Sequence, residues 1–345
     1  MSSKYGLIAY SSFNIGDDIQ SVAAKRFLPK VDSYIQRERV GSFKSTDKTK
    51  LIMNAWWMWD AEQFPPSNSI DPLLISMYFR PEIREKLLEK DTKEYLVKHG
   101  PVGCRDTSTA DFLNENGIPA YFSGCLTLTL KKNKEIKKEK FILTVDLPDE
   151  AVECIQSQTN YPVYNISRML NPYFNSIDRI EIAELILYLY QSAHCVISPC
   201  LHVVLPCLAL ETPVLRVDIG DTTGAGTKVS TGDAKGRYSG MEHLAHKVNL
   251  ADLLQGNHDY SFETPLDNPE DYKIIRDKLI EKVEGFTNYN DKEELQGFKF
   301  PLVDVFRLLK SEDKMRERAL YYASYKLLLK TLFNKVIRKQ DRYDR

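Results

Sequence analysis

Three places in the 345-residue chain gather side chains suited to acid–base or anion chemistry. In Ser198-Pro199-Cys200-Leu201-His202 an imidazole falls in the first turn expected of a helix that follows a buried strand. A helix N-terminus favours bound anions, and an imidazole placed there can donate to one or exchange a proton near neutral pH. The plainer reading of His202 is a hydrogen-bonded structural histidine. In Gly103-Cys104-Arg105-Asp106-Thr107-Ser108 a strand ends, Arg105 points from its carboxyl end, and a helix follows with Thr107 or Ser108 as the expected cap. The planar fork of a guanidinium fits a carboxylate or phosphate; the structural alternative is an Arg105–Asp106 pair. In Asn14-Ile15-Gly16-Asp17-Asp18 another strand–turn–helix junction presents backbone N–H groups. Asp18 reads there as the helix cap, and Asp17 as a base or a ligand for a hydroxyl.

Other chemistries leave no trace in the pattern. There is no G-x-G-x-x-G dinucleotide fingerprint and no G-x-S-x-G elbow. His194, Cys195, Cys200, His202 and Cys207 fit no zinc spacing, so no metal site is expected. Trp56, Trp57 and Trp59 cluster after a strand, where indoles either stack on sugars or fill a core.

These residues need a frame, and the apolar pattern supplies one. Tyr5–Tyr10, Leu51–Trp57, Leu73–Tyr78 and Pro101–Cys104 read as strands, with helices over 18–28, 81–98 and 108–116, the last stopped by Gly117. A second series has strands at 141–145, 161–166, 195–198 and 213–217, an amphipathic helix over 177–191 and another over 201–210. Alternation of this kind predicts an α/β protein of two Rossmann-like, doubly wound domains facing a cleft, with ligands at the carboxyl ends of the strands. The Lys-rich run KKNKEIKKEK at 131–140 marks the boundary, giving residues 1–135, 136–260 and a helical segment 261–345. Residues 218–240 hold six of the 16 glycines and read as a long binding loop.

Composition narrows the function classes. Lys and Arg number 47 against 48 Asp and Glu, a net charge of −1, which argues against nucleic acid as the main partner. The 43% hydrophobic content is that of a folded chain, and six cysteines suit a reducing cytoplasm better than a disulfide scaffold. No signal peptide or membrane-spanning run is expected. The stretch 318–345 carries eight basic and two acidic residues with an apolar helical stripe, the composition of an interfacial anchor or of a helix that packs back across the first domain.

Taken in order, FNIGDDIQSVAAKRFLP (13–29), LIMNAWWMW (51–59), PVGCRDTSTADFLNENGIPAYFSGCLTLTL (101–130) and AHCVISPCLHVVLPCLALETPVL (193–215) resemble the polysaccharide pyruvyl transferase family, with RYSGMEHLAHKVNL (237–250) similar to a later family segment. The resemblance implies a fold similar to the B-type glycosyltransferases. It also implies transfer of pyruvate from phosphoenolpyruvate to a saccharide as a cyclic ketal, without a metal or other cofactor. For that chemistry, His202 at its helix start is expected as the acid or phosphate contact, Arg105 as the ligand of an anionic group of the donor, and Asp17 as a base or acceptor-hydroxyl ligand. Asn14, Gly16, Asn54, Trp57, Asp106, Ser123, Gly124, Ser198, Cys200, Lys228 and Arg237 form the substrate-binding set. The family often has Arg where this chain has Cys200, so Arg105, Lys228 or Arg237 is expected to supply the missing cation. The implied setting is the cytoplasm, with a lipid-linked acceptor at the inner membrane face and the 318–345 segment in contact with anionic lipid. Two other readings fit the same frame: a glycosyltransferase using a nucleotide sugar, with Asp218 and Asp221 near the ribose, and a degenerate glycan-binding relative.

Overall fold

A computed structural model describes residues 3–169, 174–219 and 236–290. Lys228, most of the 218–240 loop and the basic 318–345 stretch lie outside the described residues. The first series comprises β1 (Lys4–Ala9), α1 (Ile15–Lys25), β2 (Ser33–Gln36), β3 (Thr49–Ile52), β4 (Trp56–Trp57), β5 (Ile70–Leu73), β6 (Tyr78–Phe79), α2 (Arg84–Leu88), α3 (Lys90–His99), β7 (Val102–Cys104), α4 (Thr107–Glu115) and β8 (Ala120–Phe122). The second comprises β9 (Ile142–Val145), α5 (Asp149–Ser157), β10 (Val163–Ile166), α6 (Ser176–Ser192), β11 (Cys195–Ser198), α7 (Leu201–Ala209), β12 (Val214–Asp218), β13 (His246–Asn249), α8 (Leu250–Gln255) and α9 (Tyr272–Thr287).

Two main parallel sheets result, in the orders β2-β1-β3-β5 and β10-β9-β11-β12-β13. Short parallel pairs β4–β6 and β7–β8 lie beside the first. Gly103 N–H donates to the Leu74 carbonyl at 2.9 Å and Arg105 N–H to the Met77 carbonyl at 2.8 Å, so β7 follows on from the end of β5. The strands are near-continuous apolar runs because helices cover both faces of a parallel sheet. This is the doubly wound α/β architecture expected from the alternating pattern.

Local polar chemistry moved several element boundaries. Helix α1 starts at Ile15 rather than Asp18, because the Asn14 side chain accepts from Gly16 N–H at 2.9 Å and caps it. The single strands expected over 51–57 and 73–78 each split in two. The helix expected over 81–98 breaks where Glu89 is extended, at φ −60° and ψ 146°. Strand β2 was unforeseen, since SYIQ is short and half polar. Helix α6 is not amphipathic but buried almost all round. It packs on α1 and α7, and one core joins Ile19 and Phe27 of the first half to Leu185, Tyr190 and Val204 of the second. The halves are therefore fused along one side. Helix α9 returns to the first half, where the Phe286 carbonyl accepts from Lys50 Nζ at 2.6 Å. Among the described residues no helix is long and apolar enough to cross a membrane.

Candidate functional site

The loops after four strands, from both halves, converge at the N-termini of α1 and α7. Asp146, directly after β9, is held at φ +54°, a left-handed conformation that costs a non-glycine residue energy and here turns its carboxylate inward. That carboxylate accepts from Ser167 Oγ at 2.9 Å, Arg168 N–H at 3.2 Å and Arg168 Nε at 2.5 Å, and lies 3.7 Å from Cys200 Sγ. Ser167 and Arg168 follow β10. Ile15 N–H donates to the Arg168 carbonyl at 3.0 Å, tying the start of α1 to this loop. Gly16 is required by close approach: a Cβ on it would lie 2.9 Å from Asn14 Oδ1, 3.4 Å from Arg168 Nη1 and 3.4 Å from His202 Cβ. Three segments distant in sequence thus meet at one glycine.

His202 sits in the first turn of α7 at non-helical φ −82° and ψ 23°. No side chain caps this helix, whose cap residue is Cys200. The imidazole is 6% exposed, and its Nε2 meets no hydrogen-bond partner among the described residues. Burial, then the charges of Arg105, Arg168 and Arg237, hold it well below the usual histidine range, against a hydrogen bond with the Gly16 backbone. It is neutral near pH 7, and the charges of three guanidiniums act on it.

Arg105, after β7, is 2% exposed and forms no ion pair among the described residues. Its Nε and Nη2 are unpartnered, and its guanidinium lies 4.4 Å from the centre of the Tyr78 ring. Burial opposes its charge, Arg237 adds to that, and Asp106 only partly offsets them. Arg237 comes from the other half. Its guanidinium is 5.8 Å from the same Tyr78 ring, and its Nε is buried without a partner among the described residues. The next residues pin it there: Tyr238 OH donates to the Pro199 carbonyl at 3.3 Å, and Thr107 N–H donates to the Ser239 carbonyl at 3.1 Å. Burial would lower the Arg168 guanidinium, but the neighbouring Cys200 and Asp146 outweigh it and raise it instead. Burial pushes the Cys200 thiol up to about 12, so it is a neutral thiol at pH 7.

The structure brings Arg105, Arg237, His202, Gly16 and Cys200 together. Asp17 follows Gly16; its carboxylate accepts from Ser12 Oγ at 2.8 Å and lies 3.5 Å from Arg37 Nη1. Other expected ligands have structural duties. Asp106 caps α4, accepting from Thr109 N–H and Ser108 Oγ, both at 2.9 Å, so the cap is neither Thr107 nor Ser108 and no Arg105–Asp106 ion pair forms. Asp18, expected as a cap, instead pairs with Arg179 through Nε at 3.0 Å and Nη2 at 2.7 Å. Asn54 Nδ2 donates to the Gln20 carbonyl, and Ser123 Oγ to the Cys104 carbonyl. Ser198 Oγ donates to the Val145 carbonyl and accepts from Cys200 N–H. Gly124, at φ +73°, lies under Ile275 of α9, where a Cβ would stand 2.4 Å from Ile275 Cγ2. Trp57 is wholly buried against Phe64 and presents no face to a ligand, because its strand runs through the core of the first half.

Arg168 was missed by sequence reasoning. Its signal was available, since it stands just past the carboxyl end of β10, the position at which an open parallel sheet holds its ligands. It also lies beside Cys200, where Arg105, Lys228 and Arg237 had been the expected sources of charge.

A family model for polysaccharide pyruvyl transferase matches residues 14–221. The chain belongs to that family. The matched span begins at Asn14 and includes Asp17, Arg105, Arg168 and His202. Membership makes the chain a transferase enzyme and implies a saccharide acceptor. No curated protein matches it. Among solved structures, a protein of uncharacterized function from Klebsiella pneumoniae is 15% identical over 62% of this chain and 83% of its own, with a TM-score of 0.43. A UDP-GlcNAc 2-epimerase from Methanocaldococcus jannaschii, solved with UDP-GlcNAc and UDP, is 11% identical over 93% of this chain and 99% of its own, at 0.38. A heptosyltransferase from E. coli, solved with ADP, is 10% identical over 82% and 99%, at 0.26. At these scores none of the three bears on the chemistry.

Proposed function

We propose that this enzyme takes pyruvate from phosphoenolpyruvate and sets it as a cyclic ketal across two hydroxyls of a saccharide destined for cell-surface polysaccharide. One observation carries the reading: among the described residues Arg105 is a buried guanidinium with no ion-pair partner, and its charge acts on an imidazole whose Nε2 has no hydrogen-bond partner there. An unpaired buried charge is costly and is kept where an anion completes it. Phosphoenolpyruvate carries a phosphate and a carboxylate, and Arg105, Arg168, Arg237 and the uncapped start of α7 form a matching set.

The chemistry follows from that charge. Without donor, burial and then the charges of the three guanidiniums keep His202 neutral. The donor's negative charge offsets them, so His202 gains a proton as the donor binds. It passes that proton to the methylene carbon of the enol, leaving a cationic centre at the adjacent carbon. One sugar hydroxyl adds there and gives its proton to Asp17. Phosphate then leaves as a second hydroxyl adds to the same carbon, and the second hydroxyl proton goes out with phosphate. Both C–O bonds of the ketal are formed, and no oxidant or cofactor is consumed.

A thermal-shift panel separates donors. Phosphoenolpyruvate at about a hundred times its Kd stabilises by about 2.7 kcal/mol, a rise of several degrees, while UDP, GDP and CMP give none. A shift with a nucleotide and none with phosphoenolpyruvate overturns the proposal in favour of a nucleotide-sugar donor.

A further inference from the structure

Of the three tryptophans in the chain, Trp57 is sealed in the core while Trp59 is 66% exposed. A large indole so open to water is unusual. It is also fixed. The backbone N–H groups of Trp59 and Asp60 both donate to Glu38 Oε2, at 2.9 and 2.8 Å. The other oxygen of Glu38 holds Arg37 Nε at 2.6 Å. Trp56 packs on Trp59 with ring centres 4.9 Å apart, and Arg80 lies 4.3 Å from the Trp59 ring and 5.2 Å from Trp56. Arg80 is itself held by Glu82 at 2.8 Å. The exposed ring is therefore pre-organised, which lowers the entropy lost when a ligand settles on it.

The platform is continuous with the site. Trp56 pairs in register with Tyr78, the ring beneath Arg105 and Arg237. Arg37 stacks on Trp56 at 4.8 Å and reaches the Asp17 carboxylate at 3.5 Å. Phe13, 59% exposed, stands on the loop that carries Ser12 and leads into α1, where Asp17 lies. Each cation near the indoles has its own carboxylate, so the surface offers an aromatic face with a polar rim and little net charge. An anionic partner would need unpaired cations, which lie deeper, at Arg105. A neutral pyranose has what the surface fits: a C–H face for the ring and hydroxyls for the rim.

We infer that Trp59, backed by Trp56 and Arg80, is the acceptor subsite, on which a neutral sugar ring stacks with two hydroxyls turned toward Asp17. This assignment rests on the reading above in naming its occupant the acceptor. Trp59 holds the sugar by binding alone; it moves no proton.

The test uses the full chain, Trp59→Ala and Trp59→Phe, with a panel of methyl hexosides and disaccharides. Because Trp57 is buried, quenching of intrinsic fluorescence by added sugar reports Trp56 and Trp59. Sugar alone is expected to quench the wild type, with binding lost in Trp59→Ala and largely kept in Trp59→Phe. In turnover, Trp59→Ala raises the acceptor KM at least tenfold and leaves the donor KM unchanged. Absence of quenching with every sugar, or an unchanged sugar affinity in Trp59→Ala, overturns the subsite. Quenching without any turnover of phosphoenolpyruvate supports the subsite and counts against the donor assignment instead.

Discussion

Arg105→Gln is expected to lower turnover by roughly a hundredfold to a thousandfold, the usual cost of removing one pre-organised group that meets charge in a transition state. The same substitution removes an uncompensated buried cation. Stability without donor should therefore stay within about 1 kcal/mol of wild type, the lost contact with Tyr78 being small. A second readout separates this role from a structural one. Arg105 is one of three charges that keep His202 neutral. With it gone, burial and the two remaining guanidiniums still depress the imidazole, but less, so its pKa rises, which an NMR titration of the His202 ring measures. Unchanged kinetics together with an unmoved His202 titration would take Arg105 out of the site.

Arg179→Met is expected to cost about 3–5 kcal/mol at pH 7, because it strands the Asp18 carboxylate in the core shared by α1 and α6. Burial already holds that carboxyl at about 6, even against the paired guanidinium. Without Arg179 it rises further. A carboxyl whose folded pKa exceeds its unfolded value near 3.9 costs stability in its ionised form. The penalty is full above the raised folded pKa and fades as pH falls toward 4. Urea unfolding at pH 7 and pH 4.5 checks both statements: the variant loses most at pH 7 and recovers at pH 4.5. A loss independent of pH would mean that Arg179 acts through packing alone. The double change Asp18→Leu with Arg179→Met should be far milder than the single one, since no buried charge is left.

The frame of the molecule was legible because parallel strands are short apolar runs with helical periods between them. The positions of Arg105 and His202 were legible for a related reason: each stands just past a strand end, where backbone order alone puts it at the mouth of a sheet. What the pattern hid was how polar side chains are spent. Asn14, rather than Asp18, caps α1 because its side chain reaches Gly16 N–H, which leaves Asp18 for Arg179 across the fused halves. Asp106 caps α4. Trp57 and Trp59 are two residues apart and alike in type, yet one fills a core and the other faces water, because the strand ends between them. No periodicity over so short a span separates the two. Arg168 was hidden by its lack of a motif, and only the positive φ of Asp146 and the approach of Gly16 show how closely it is held.

The most direct measurement is to incubate the full chain with phosphoenolpyruvate and hexosides, following inorganic phosphate and product mass together. The expected result is phosphate release that depends on the sugar, one ketal-bearing saccharide for each phosphate, and loss of both in Arg105→Gln. Phosphate released with no ketal formed, or a glycoside made from a nucleotide sugar with phosphoenolpyruvate left intact, would contradict it.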